Sequence, residues 1–131
     1  MARFLFRNAA GQPARVLVVE DELLNALEIE DILSTAGVEV IGPASTVGAA
    51  LALLEHERPD AAVLDANLHG ERVVPVAQAL SSLKIPFVLA SAYDPEQWEE
   101  DTALARVTNL GKPVTAPLLL DALEAMLGAR R

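Results

Sequence analysis

Asp65 closes the apolar run Ala61-Ala62-Val63-Leu64, Glu20 and Asp21 close Val16-Leu17-Val18-Val19, and Ser91 follows Pro86-Phe87-Val88-Leu89-Ala90. Lys112-Pro113 comes just after a further run, Arg106 to Leu110. In an open parallel sheet the carboxyl ends of the strands line one edge, where ligands bind, so these residues converge although they are far apart in sequence. An edge that holds carboxylates, one hydroxyl and one ammonium is equipped to place a phosphoryl group on a carboxylate. Singly, each residue has a plain structural use. Glu20 and Asp21 suit a helix N-terminus, Asp65 with Asn67 suits an Asx turn, Ser91 suits a turn or cap, and Lys112 suits a solvated position before a turn proline. Nothing structural requires all of them at strand ends together.

The elements that must position these groups alternate in type. Strand-like runs fit Arg15 to Val19, Val38 to Gly42, Ala61 to Leu64, Phe87 to Ala90 and Arg106 to Leu110. Between them apolar residues recur every three or four positions: Leu23, Leu27, Ile29, Ile32 and Leu33; Val47, Leu51 and Leu54; Val73, Val76, Ala77, Leu80 and Leu83; and finally Leu119, Ala122, Leu123 and Met126. Gly37, Gly42-Pro43, Pro59-Asp60 and Pro117 punctuate them at the expected ends. The stretch Pro95 to Thr102 has Trp98 as its one large apolar anchor, so a short, weakly held helix is expected there. Five βα units predict a parallel sheet covered on both faces, with right-handed crossovers.

The 131 residues suffice for one domain, which the run boundaries place at 15–131 behind a frayed leader at 1–14. An apolar share of 52%, with few aromatics, points to a core of Leu, Val, Ile and Ala. A formal net charge of -9, with only 10 Lys and Arg, argues against a nucleic-acid groove. The absence of cysteine excludes disulfides and thiolate zinc sites and fits a cytoplasmic protein. His56 and His69 read as surface residues. No apolar run reaches membrane-spanning length, so no membrane partner is expected.

The acidic pair before a helix, the aspartate ending the third strand, Ser91-Ala92 after the fourth and Lys112-Pro113 after the fifth together resemble the receiver domain of two-component response regulators. The resemblance covers nearly the whole chain. Pro86-Phe87-Val88-Leu89-Ala90-Ser91-Ala92-Tyr93 is also similar to the Pro-Phe-x-Phe-Ala-Thr-Gly-Tyr signature of single-domain receivers common in alphaproteobacteria, with Leu89, Ser91 and Ala92 as substitutions. The resemblance implies a doubly wound, flavodoxin-like (βα)5 fold with a five-stranded parallel sheet in the order 2-1-3-4-5. It implies Asp65 as phosphoacceptor, taking a phosphoryl group from a sensor histidine kinase or histidine phosphotransferase. Ser91 and Lys112 then move inward to the phosphoryl oxygens, and the surface of the fourth helix, fifth strand and fifth helix rearranges to signal to a downstream protein target. Mg²⁺ is the implied cofactor, held by Asp21, Asp65 and the Asn67 carbonyl, with Glu20 acting directly or through water. Physical chemistry agrees: clustered carboxylates repel by a few kcal/mol per pair, about what Coulomb's law gives near a dielectric of 20, and oxygen-only ligands suit Mg²⁺.

Two positions depart from the family pattern. Asn109 stands where many receivers carry a switching aromatic, leaving Tyr93 as the nearest alternative, and Glu20 stands where aspartate is commoner. Asn67 and Tyr93 would flank the line of water attack on an aspartyl phosphate; neither activates water at neutral pH, so a slowly lost phosphoryl group is expected. Three classes of function follow. The first is a stand-alone phosphorylated signalling protein, expected because the chain ends after the fifth helix and catalysing only its own modification. The second is an aspartyl-phosphate hydrolase, disfavoured because that nucleophile follows a first strand, with a second acid where Asn67 stands. The third is an unphosphorylated interaction module, disfavoured by the intact Asp21, Asp65, Ser91 and Lys112.

Overall fold

The computed structural model describes residues 6–92, 104 and 107–128. Its main sheet is parallel and contains β1 (Arg15–Val19), β2 (Glu39–Ala44), β3 (Ala61–Leu64) and β6 (Phe87–Leu89), in the order β2-β1-β3-β6. The helices are α1 (Leu23–Thr35), α2 (Val47–His56), α3 (Val74–Ser82) and α4 (Ala116–Leu127). A hairpin of β4 (Asn67–Leu68) and β5 (Glu71–Arg72) interrupts the crossover after β3.

This is the doubly wound, flavodoxin-like architecture expected, with one difference. Among the described residues the fifth strand is not a strand but a parallel bridge between Leu89 and Asn109. There the Leu89 N–H donates to the Thr108 carbonyl and the Leu110 N–H donates to the Leu89 carbonyl, each at 2.8 Å. Arg106, Tyr93, Trp98 and the helix expected from Pro95 to Thr102 lie outside the described residues.

Side-chain alternation along the strands builds two cores. Leu17, Val19, Ala62, Leu64 and Leu89 face α2 and α3, which contribute Ala50, Leu54, Val76, Ala77 and Leu80. Val16, Val18, Ala61, Val63 and Val88 face α1 and α4, which contribute Ile29, Leu33, Leu119 and Leu123. Because both faces are covered, β1 and β3 are apolar without alternation. Each fully buried Leu or Val contributes roughly 1.5–3 kcal/mol relative to leaving it exposed.

Two sequence expectations are corrected. Leu23 and Leu27 do not join the core face of α1: the helix buries Ala26, Ile29 and Leu33 and leaves Leu23, Leu24 and Leu27 exposed at 72, 74 and 48%. Residues 6–14 are not a frayed leader either. Arg7 pairs with Pro13 across a turn closed by Asn8, whose side chain accepts from Ala10 N and Gln12 N, and the turn seats Phe6 in the α1/α4 core at 1% exposure. Three apolar residues between Arg3 and Arg7 are too short a run to give a periodic pattern from which to read this.

Candidate functional site

Three strand ends meet at one edge of the sheet. The ladder carries the backbone past each apolar run: Glu20 N–H donates to the Ala44 carbonyl, Asp65 N–H to the Val19 carbonyl and Ala90 N–H to the Leu64 carbonyl, at 2.8 to 2.9 Å. The first polar residue after each run is thus fixed at the edge. Among the described residues, Glu20, Asp65 and Ser91 are the buried polar ones, at 2, 5 and 2% exposure.

Asp65 is the hub. Lys112 Nζ donates to its Oδ2 at 2.8 Å, Ser91 Oγ donates to its Oδ1 at 3.0 Å, and the Asn67 N–H donates to the same Oδ1 at 3.2 Å. The Ser91 oxygen in turn accepts the Ala66 N–H at 2.6 Å. Without a phosphoryl group both side chains touch the Asp65 carboxylate itself, which supplies their acceptors.

Glu20, Asp21, Glu22 and Asp65 each offer a carboxylate oxygen within 4.8 Å of the others. Against them stands the Lys112 ammonium, 3.3 Å from Glu20 Oε2, 3.2 Å from Glu20 Oε1 and 3.1 Å from Glu22 Oε1. Glu20 Oε2 also accepts the Glu22 N–H at 3.0 Å. Glu20 Oε1 is buried and, although close to Lys112, has no hydrogen bond of acceptable geometry. Burial first, and then the neighbouring Asp65 carboxylate, push the Glu20 carboxyl up to about 7. Lys112 moves the other way from a desolvated amine. Burial alone would lower it, but its hydrogen bonds to Asp65 and Glu22 and the charges of Asp65 and Glu20 hold it firmly protonated. Asp21, Glu22, Asp65, Ser91 and Lys112, with Asn67, His69, Gly70 and Ala92, line a cleft of about 340 Å³.

The response regulator receiver domain family matches residues 16–124. The chain belongs to that family. Phosphorylation and Mg²⁺ dependence are typical of receivers, which are signalling domains rather than conventional enzymes. This receiver is similar to SdrG from Sphingomonas melonis Fr1, with 39% identity, a TM-score of 0.75, and coverage of 87% of this chain and 96% of that one. It is similar to PhyR from Brucella abortus, with 31% identity and a TM-score of 0.73, over 88% of this chain and 48% of that one. It is 29% identical over 117 residues to the transcriptional regulatory protein PdtaR of Mycobacterium tuberculosis, over 88% of this chain and 57% of that protein. The receiver therefore spans only about half the length of PhyR and PdtaR.

All six site residues singled out in the sequence come together in the receiver's cleft or directly beneath it. Three further residues join them. Glu22 adds a fourth carboxylate, legible as the third acid in the run Glu20-Asp21-Glu22. His69 is exposed, as expected, but its Nδ1 lies 3.2 Å from Asp21 Oδ2. Its φ of +50° and that of Gly70, +84°, make the two-residue turn of the β4–β5 hairpin, and His-Gly is a weaker turn signal than Asn-Gly. Asn109 is the third: its Oδ1 accepts the Ser91 N–H and the Gly111 N–H, and its Nδ2 donates to the Ser91 carbonyl.

Proposed function

We propose that this receiver accepts a phosphoryl group on Asp65 from the phosphohistidine of a histidine kinase or histidine phosphotransferase and signals by protein contact. The observation that carries the reading is a buried carboxylate with an ammonium at 2.8 Å on one oxygen and a hydroxyl at 3.0 Å on the other. In the reaction an Asp65 oxygen bonds to phosphorus while the bond from phosphorus to the imidazole nitrogen breaks, its electron pair returning to the ring. Lys112 and Ser91 then shift their hydrogen bonds from the carboxylate to the phosphoryl oxygens, where charge accumulates.

The donor set fits Mg²⁺. Its side-chain donors are oxygens, the carboxylates outnumber the ammonium, and Glu20 Oε1 is a buried acceptor without a hydrogen bond. Asp21, Asp65 and the Asn67 carbonyl would hold the ion, with Glu20 beside them. When bound, it supplies charge neutralisation at the phosphoryl oxygens.

The donor must bring its imidazole to a carboxylate only 5% exposed, so it must rest on the cleft's rim. Leu23, Leu24 and Leu27, on α1 immediately after Glu22, offer an apolar contact there. Intact-mass measurement with a phosphorylated donor tests the reading: wild type gains one phosphoryl group when Mg²⁺ is present, and Asp65→Asn gains none. Equal labelling of the two proteins contradicts it.

A further inference from the structure

Beyond Leu89 the pairing of β6 with its neighbour changes character. The backbone of Leu89 is bonded to Thr108 and Leu110 in the ordinary parallel pattern. Continued two residues further, that pattern would join the Ser91 peptide to the Leu110 carbonyl and the Lys112 N–H. The chain turns away instead at Gly111, whose φ of +79° is one that side chains other than glycine's rarely accept.

The Asn109 side chain takes the place of the missing strand. Its Oδ1 accepts the Ser91 N–H at 3.1 Å and its Nδ2 donates to the Ser91 carbonyl at 3.3 Å, so one amide meets both polar groups of one residue's backbone. The same Oδ1 accepts the Gly111 N–H at 3.0 Å, closing an Asx turn. Its bonds to two N–H groups and one carbonyl fix which end of the amide is oxygen. One side chain thus holds the peptide that carries Ser91 and the turn that leads into Lys112. Those are the two residues whose hydroxyl and ammonium meet on Asp65.

We propose that Asn109 is a positioning residue for phosphoryl transfer, presetting Ser91 Oγ and Lys112 Nζ at Asp65 before a phosphoryl group arrives. The proposal rests on Asp65 being the phosphoacceptor. Asn109 touches neither Asp65 nor the incoming group; it acts through the two residues that do. Its effect is pre-organisation, because a hydroxyl already held within hydrogen-bond distance needs no search when charge develops. A strand end held only for stability would lower the melting temperature without touching the chemistry.

The test is the initial rate of Asp65 labelling by acetyl phosphate at saturating Mg²⁺, read by intact mass. The proteins compared are wild type, Asn109→Ala, Ser91→Ala and the double variant, each checked for folding by thermal melt. Asn109→Ala is expected to label at least tenfold more slowly. Because Asn109 works partly through Ser91, the double variant should be no more than about threefold slower than the slower single variant, well short of the product of the two effects. Asn109→Leu fills a similar volume without the amide; it should show the same loss, and it supplies the measurement if the alanine variant does not fold. Wild-type rates in the folded Asn109 variants, or single effects that multiply in the double variant, overturn the positioning role while leaving the phosphoacceptor reading intact. Labelling that persists in Asp65→Asn overturns both.

Discussion

Burial of the Glu20 carboxyl at the sheet edge sets a pH dependence. The carboxyl is pushed up from 4.5 to about 7 in the folded protein, burial being the main cause, so the fold favours the protonated form. An acid raised on folding contributes stability that is fully present below its unfolded value and is lost as pH rises through the folded one. Metal-free protein should therefore lose stability between about pH 4.5 and 7, and Glu20→Gln should flatten that part of the melting-temperature profile. An unchanged slope in Glu20→Gln would place the sensitive group elsewhere. Asp65→Asn removes one of the repelling carboxylates but also replaces one of the two oxygens that accept from Lys112 and Ser91 with an NH2 donor. We expect a net gain of about 1 kcal/mol without metal, within the ordinary range of single substitutions; a loss of several kcal/mol in urea denaturation would mark Asp65 as structural. Glu20, Asp65 and Ser91 were legible because each sits one position past an uninterrupted apolar run. The Asn109 clamp was not, since Ser91 lies 18 residues away and the amide serves its backbone only after the neighbouring strand turns aside.

At the scale of elements, β1 and β3 have the ends read from the sequence, because strands buried on both faces leave unbroken apolar runs. Helix α1 misled for a related reason: five apolar residues fit a helical repeat, but only Ile29 and Leu33 of these are fully buried, with Ala26 beside them. The unburied leucines then become candidates for contact. Replacing Leu24 with aspartate should slow phosphoryl transfer from a phosphorylated protein donor at least tenfold while leaving labelling by acetyl phosphate near the wild-type rate; equal slowing with both donors would show damage to the cleft. The β4–β5 hairpin escaped notice because two-residue strands give no periodicity. It also reaches α2, where Glu71 Oε1 accepts the Val47 N–H at 3.4 Å at the helix N-terminus. The turn at residues 6–14 makes its own prediction. Phe6→Ala should cost about 3–5 kcal/mol in denaturant titration, the usual loss for a buried phenylalanine; a loss below 1 kcal/mol would return the segment to the status of a loose leader.

For the whole molecule, the sheet separates a stable body from a charged edge. Two apolar cores hold the strands, and the edge gathers four carboxylates against one lysine. None of the described helices is long and apolar enough to cross a membrane. We propose residues 15–131 as the receiver proper, with the turn at 6–14 packed on its α1/α4 face. Because bound Mg²⁺ would relieve the repulsion at the edge, melting temperature should rise with Mg²⁺ as RT ln(1 + [Mg²⁺]/Kd) requires, and the rise should vanish in Asp21→Ala. The central claim is that Asp65 carries the phosphoryl group, and the most direct test locates it chemically. After incubation with a phosphorylated histidine kinase and Mg²⁺, borohydride reduces an aspartyl phosphate to homoserine, which peptide mass mapping assigns to a position. The account predicts homoserine at position 65 alone. Homoserine at another aspartate, with residue 65 unmodified, would contradict it.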